Sequence, residues 1–270
     1  MSSYAAPDAG TRNPLRTAVA GRAVTAGPWV TISDPAAVEV LAQTALDYLV
    51  FDCQHGPHDL GTVLPLLRAA AIHGMPALLR VASSAPWMIM RALDLGAAGV
   101  IVPMVGSAAE AARACAATRY PPLGERSFGA LRPAAGDVFD PADGPLVLPM
   151  IETAEGLAAV DAIAATPGVD GLFVGPLDLA LSIGATPGAD PLAALSSPDL
   201  RAAIDTIGRA ATAHGKLLAG AVFSTDHART MAKAGMTMQV RGTDLQWLAA
   251  NAASAAAFTA ELAAERGRSG

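Results

Sequence analysis

Charged and basic side chains stand where apolar runs break off. Leu49-Val50-Phe51 leads straight into Asp52, with His55 just beyond; Ala77-Leu78-Leu79 leads into Arg80. Val147-Leu148-Pro149-Met150-Ile151 ends in Glu152, and Gly171-Leu172-Phe173-Val174 ends in Gly175-Pro176-Leu177-Asp178. Short apolar runs bounded by turn residues read as strands buried on both faces. Polar groups at the same end of several such strands are how an α/β barrel builds an active site. The set offers a permanent cation, a base, several hard oxygen donors and a Gly-Pro turn with exposed backbone amides.

Glu152 and Asp178, with waters and substrate oxygens, suit Mg²⁺ or Mn²⁺. The alternative is a metal-free ion pair with Arg80. Arg80 keeps its proton and suits an oxyanion that develops during reaction, or it merely neutralises the acids. His55 is either a general base near neutral pH or a packed, satisfied ring. Asp94, on the helix after the third strand, would join the set if that helix end tips inward. His58, His73, His214 and His227 fall in loops or helix ends and receive no role. Cys53 and Cys115 have no metal or redox spacing; Cys53 beside Asp52 reads as a small buried filler before a nucleophile. Lysine occurs only at 216 and 233. Lys216 falls at the wrong end of its strand and Lys233 on an outer helix, which argues against Schiff-base chemistry.

These groups need eight strands to position them, and the sequence supplies eight. The strands expected are Trp29–Ile32, Tyr48–Asp52, Pro76–Val81, Gly99–Val102, Leu146–Ile151, Val169–Val174, Leu217–Val222 and Thr237–Val240. Helical patterns fall between them, opening at signals such as Ser33-Asp34-Pro35. Others span Leu60–Ile72, Ala85–Leu95, Ser107–Ala117, Thr153–Ala165, Pro198–His214, Thr225–Ala234 and Asp244–Ala264. Strict strand–helix alternation points to a closed (β/α)8 barrel, a TIM barrel. An open doubly wound sheet would want a Gly-rich dinucleotide turn after its first strand, and no G-x-G-x-x-G stands there. The segment Tyr120–Pro145 is long enough to be functional or interfacial.

The 270 residues suit one such domain, with 52% hydrophobic residues to fill its core and a net charge of −6. Residues 13–264 are expected to form the barrel, with flexible ends at 1–12 and 265–270. Scattered basic residues argue against a nucleic-acid footprint. The absence of a long apolar run argues against a membrane span, and the polar start against a secretory signal. A cytoplasmic enzyme is expected.

The segments FDCQHGPHD, PALLRV, RALDLGAAGVIVPMV, TRYPPLGERSFG, MIET and DGLFVGPLDLALSIG occur in order. In them the chain resembles the HpcH/HpaI family of class II, metal-dependent pyruvate aldolases, from about Asn13 to Ala250. The resemblance implies a barrel of the phosphoenolpyruvate/pyruvate-binding type. It implies a divalent cation (Mg²⁺, Mn²⁺ or Co²⁺) held by Glu152 and Asp178. A 2-oxo acid such as pyruvate would chelate that cation, its carboxylate bound at the Gly175 turn by the amides of Leu177 and Asp178. Arg80 would stabilise the enolate and the aldol oxyanion. His55 would move the proton of the C4 hydroxyl, and Asp94 would hydrogen-bond His55. The reaction implied is reversible cleavage of a 4-hydroxy-2-oxo acid to a 2-oxo acid and an aldehyde.

The resemblance also implies a homohexamer, a trimer of dimers, with the last helix packing across subunits. Two positions depart from the family pattern: Gln54 stands where Glu is common, and Met150 where Gln often contacts the 2-oxo acid. A lyase acting on an acyl-CoA ester, with Arg126 and Arg132 as candidate phosphate contacts, is the rival enzyme. A non-catalytic 2-oxo-acid-binding protein is the rival of another class.

Overall fold

A computed structural model describes residues 12–20, 22–129, 139–140, 142–185 and 191–268. Eight parallel strands close into a barrel in chain order: β1 (Thr25–Val30), β2 (Leu49–Asp52), β3 (Ala77–Arg80), β4 (Gly99–Val102), β5 (Leu146–Ile151), β6 (Gly171–Val174), β7 (Leu217–Val222) and β8 (Met238–Thr243). The helices are α1 (Pro14–Ala20), α2 (Pro35–Ala42), α3 (Val63–Ile72), α4 (Pro86–Asp94), α5 (Ala108–Thr118), α6 (Ala154–Ala158), α7 (Val160–Ala165), α8 (Pro176–Ser182), α9 (Pro198–Ala213), α10 (Thr225–Lys233) and α11 (Asp244–Arg268). The (β/α)8 expectation holds.

Alternation along each strand sorts the core into two layers. Tyr48, Val50, Leu78, Ile101, Leu146, Leu148, Met150, Phe173, Ala219, Met238 and Val240 fill the barrel interior. Leu49, Phe51, Leu79, Val100, Val102, Val147, Ile151, Leu172 and Val174 face the helices. The same parity carries upward: Asp52 follows Val50, Arg80 follows Leu78, and Glu152 follows Met150 on the inward side. The polar residues are therefore the topmost layer of a packed interior.

The lower end is plugged by α1, an element with no counterpart in the expected set. Leu15 is fully buried in the inner layer. Asn13 Nδ2 donates to the carbonyls of Ala98 (2.9 Å) and Gly144 (3.1 Å), and Arg16 pairs with Asp170 at 2.8 Å. The expected flexible N-terminus covers residues 1–12, of which 1–11 lie outside the described residues. The last helix runs on to Arg268, past Ala264.

Strand β1 begins at Thr25, earlier than the sequence suggests, because Gly27 and Pro28 mimic turn punctuation. Pro28 falls at the register irregularity between Gly27 and Trp29 in the β1–β8 ladder, where its missing donor is tolerated. Gly27 is required by close packing: a Cβ there would lie 2.0 Å from the Tyr48 carbonyl oxygen. The junction is tied by Asp244, whose carboxylate accepts the backbone N–H groups of Thr31 and Ile32.

Because the obstruction at Gly27 is backbone, Gly27→Ala should lower stability by about 1–3 kcal/mol or more through overpacking. A urea titration of the variant checks this; an unchanged midpoint would show that β1 and β2 can separate freely.

Candidate active site

The β2–β3 register places Asp52 opposite Arg80, and the two form a buried bidentate ion pair. Arg80 Nε donates to Asp52 Oδ1 at 2.9 Å and Nη2 to Oδ2 at 2.5 Å. Asp52 Oδ1 also accepts the backbone N–H groups of Gln54 (3.0 Å) and His55 (3.2 Å). Burial alone would raise the Asp52 pKa, but the hydrogen bonds and charge of Arg80, helped by those amides, hold it below the usual carboxylate value. The guanidinium carbon lies 4.3 Å from the Trp29 ring centroid, a cation–π contact. Trp29 in turn meets Phe173 edge-on at 5.9 Å. Arg80 is thus fixed on two sides, and Nη1 remains for a ligand.

Glu152 occupies the other wall. It is 2% exposed, and its Oε1 accepts the Met104 backbone N–H at 2.6 Å. Burial raises its pKa; the Met104 bond opposes this, the negative charge of Asp178 adds to it, and the charges of Arg80 and His55 oppose it. These groups sense one another across one mouth. The chain turns away from Glu152 at once, because the Thr153 hydroxyl caps α6 by accepting the Gly156 N–H at 3.0 Å.

Asp178 stands in the first turn of α8 and is exposed, where the helix dipole favours an acid. Gly175 leaves the space between these groups open: a Cβ there would lie 2.8 Å from Glu152 Oε2 and 2.8 Å from Met150 Cε. Among the described residues no three His, Cys, Asp or Glu side chains gather as a metal cluster. Glu152 and Asp178 are two carboxylates that could serve as hard oxygen donors. That would fit a hard divalent cation whose other positions go to water and ligand oxygens, since a cation would offset both the burial and the Asp178 charge that raise the Glu152 pKa.

His55 is exposed on the loop after β2, its backbone tied to Asp52. Asp94 does not join it. Helix α4 runs back from the mouth, so its last residue lies at the opposite end of the barrel, where Ala98 N–H bonds the first residue of β3. There Asp94 Oδ1 accepts from Arg126 Nη2 at 2.9 Å. Within one chain, helix direction in this βα unit sets Asp94 apart from His55.

Other expectations resolve simply. Burial, with Asp52 and Asp59 adding to it, pushes the Cys53 thiol up to about 12, so it is no nucleophile at neutral pH. His58 is structural, its ring nitrogens engaged by Ser33 Oγ (3.3 Å) and the Val30 carbonyl (3.0 Å). Lys216 Nζ donates to the Val169 carbonyl at 2.8 Å, just before β6 at the lower end, and Lys233 closes α10. Gln54 Oε1 is buried without a hydrogen-bond partner. Two participants escaped the sequence reading. Trp29 carries a parity signal, being inward on β1; Met104 acts through its backbone and carries none.

The HpcH/HpaI aldolase/citrate lyase family model matches residues 25–251. A 5-keto-4-deoxy-D-glucarate aldolase of Escherichia coli O139:H28 is 37% identical over 239 residues, covering 86% of this chain and 91% of that protein. A solved structure of an HpcH/HpaI aldolase/citrate lyase family protein from Burkholderia cenocepacia J2315 superposes with a TM-score of 0.81 at 31% identity, covering 92% of this chain and 99% of that one. The citrate lyase β subunit of Mycobacterium tuberculosis shares the fold at 20% identity and a TM-score of 0.56, over 81% of this chain and 91% of that one. Sequence and architecture agree along most of the length, and the chain belongs to the HpcH/HpaI aldolase/citrate lyase family.

Proposed function

We propose that this enzyme is a divalent-metal-dependent aldolase that reversibly cleaves a 4-hydroxy-2-oxo acid to pyruvate, or a related 2-oxo acid, and an aldehyde. The observation that carries the reading is the divided mouth: an immobilised guanidinium at the end of β3, paired with Asp52 of β2, and an under-compensated carboxylate pair after β5 and at the start of α8. Glu152 and Asp178 would hold Mg²⁺, Mn²⁺ or Co²⁺, which when bound supplies Lewis-acid polarisation of the keto oxygen. Backbone amides at Gly175, Leu177 and Asp178 would receive the 2-oxo-acid carboxylate.

In the cleavage direction the C3–C4 bond breaks. The C4 hydroxyl gives its proton to His55 as its oxygen becomes the aldehyde carbonyl, and the bonding pair passes to C3, which is then protonated. Arg80 Nη1 would donate to the oxygen that carries charge during this change. His55 suits the transfer because it is exposed at the mouth while its backbone is anchored to Asp52. No lysine at the mouth offers a Schiff-base alternative, since both lysines of the chain lie elsewhere.

In this reading Asp94, paired with Arg126, is left out of its own chain's catalytic set. A homohexamer is part of this reading. It is supported by α11, where Leu245, Leu248, Phe258 and Leu262 are 45–60% exposed. A cytoplasmic location completes it. Among the described residues, no helix is long and apolar enough to cross a membrane.

The acyl-CoA lyase reading gains nothing from Arg126, which is buried and spent on Asp94; Arg132 lies outside the described residues. The binding-protein reading rests on Gln54 and Met150. It separates from the aldolase by deuterium exchange at the pyruvate methyl group, followed by NMR. Exchange should require added Mn²⁺ or Mg²⁺ and stop with excess chelator; exchange undiminished in chelator would defeat the metal-dependent reading.

Asp178→Ala should keep the fold while Mn²⁺ affinity, read by calorimetry, falls by about tenfold or more for a lost charged ligand. Arg80→Lys should keep a counter-charge for Asp52 and lower kcat by about 10²–10³ for a lost oxyanion donor, with Mn²⁺ affinity unchanged. Arg80→Ala is the poorer probe. It strands Asp52 as an unpaired buried charge and should cost about 3–5 kcal/mol of stability in urea.

A further inference from the structure

We infer that Met104 is a positioning residue: its left-handed backbone aims an amide at Glu152 and so fixes which carboxylate oxygen faces the mouth. The inference rests on the metal-dependent reading and deepens it. Met104 lies in the loop between β4 and α5 with φ +57°, and among the described residues it is the only non-glycine with positive φ. The other such positions are glycines 74, 96, 168, 184, 215, 235 and 242.

For an L-residue this conformation is unfavourable, because Cβ crowds the following carbonyl. Such outliers persist only where their surroundings over-determine them, and they gather at functional sites. The Met104 side chain offers no compensation by burial, being 57% exposed. Its compensation is the amide. That N–H reaches Glu152 Oε1 at 2.6 Å, a charge-assisted bond to a carboxylate that is itself 2% exposed.

The bond occupies Oε1 and leaves Oε2 beside the space that Gly175 keeps open. Without it, Glu152 would be free to rotate and present either oxygen, and a bound cation would meet a mobile ligand. Glycine at 104 would reach the same angles without strain but would hold them less firmly. Asn tolerates the left-handed region, whereas β-branched residues are genuine outliers there.

The test is Mn²⁺ affinity by calorimetry on the full-length protein, across Met104→Gly, Met104→Asn, Met104→Val and Met104→Ile. Affinity should follow ease of left-handed backbone: Gly and Asn within about threefold of the native residue, Val and Ile weaker by about tenfold or more. Replacing the residue by its α-hydroxy analogue, which turns the amide into an ester and keeps the side chain, should give the same loss of about tenfold. An equal loss in the Gly and Val variants would assign the role to the side chain and overturn the inference, as would native affinity in the ester. Glu152→Gln and Asp178→Ala are the references. If both weaken Mn²⁺ binding by about tenfold or more while the Met104 series stays flat, this inference alone fails; if the native protein takes up no Mn²⁺, the metal-dependent reading fails with it.

Discussion

A guanidinium can sit at the top of a packed barrel only if its charge is met there. Arg80 is met by Asp52, and the meeting is arranged by the sheet, because the two residues are register neighbours on β2 and β3. Burying two ions costs several kcal/mol each unless geometry and further hydrogen bonds compensate. Asp52 gains that compensation from two Arg80 donors and two backbone amides. Trp29 closes the remaining face of the guanidinium, and Phe173 braces Trp29. An arginine held this way has lost its rotamer freedom before any ligand arrives. That is the preorganisation an oxyanion donor requires.

The opposite wall is built on the reverse principle. Glu152 and Asp178 have no cationic partner of their own within hydrogen-bonding distance among the described residues, and burial with mutual repulsion lifts the Glu152 pKa. A 2-oxo acid brings a further negative charge to this mouth, and two carboxylates cannot bind it unaided. A divalent cation held by Glu152 and Asp178 would reverse the sign of that wall and attract both the keto oxygen and the ligand carboxylate. The mouth is thus compensated on one side and deliberately short of positive charge on the other.

Strand number, order and most boundaries were legible in the sequence, because continuous apolar runs are what a barrel strand buried on both faces looks like. The polar residues at run ends were legible for the same reason: where Val50-Phe51 gives way to Asp52, the interior meets the mouth. Elements defined by tertiary contact were not legible. Helix α1 is a helix because Leu15 fills the barrel floor, and the start of β1 hides behind Gly27 and Pro28, whose demands come from Tyr48 and a register shift. Asp94 was placed by family spacing, yet the direction of α4 carries it to the far end. Met104 was invisible because its contribution is a backbone angle, which residue type does not announce.

The two departures from the family pattern act at different depths. Gln54 follows the ion pair directly, and its backbone N–H serves Asp52. The glutamine adds no negative charge two residues from Asp52, and its buried Oε1 is left without a hydrogen-bond partner. Met150 is 3% exposed in the inner layer below Glu152, in register with Phe173. It contributes volume and no hydrogen bond. With neither residue offering a charge, the proposed function would leave the grip on an anionic ligand to Arg80 Nη1, the turn at Gly175 and a cation held by Glu152 and Asp178.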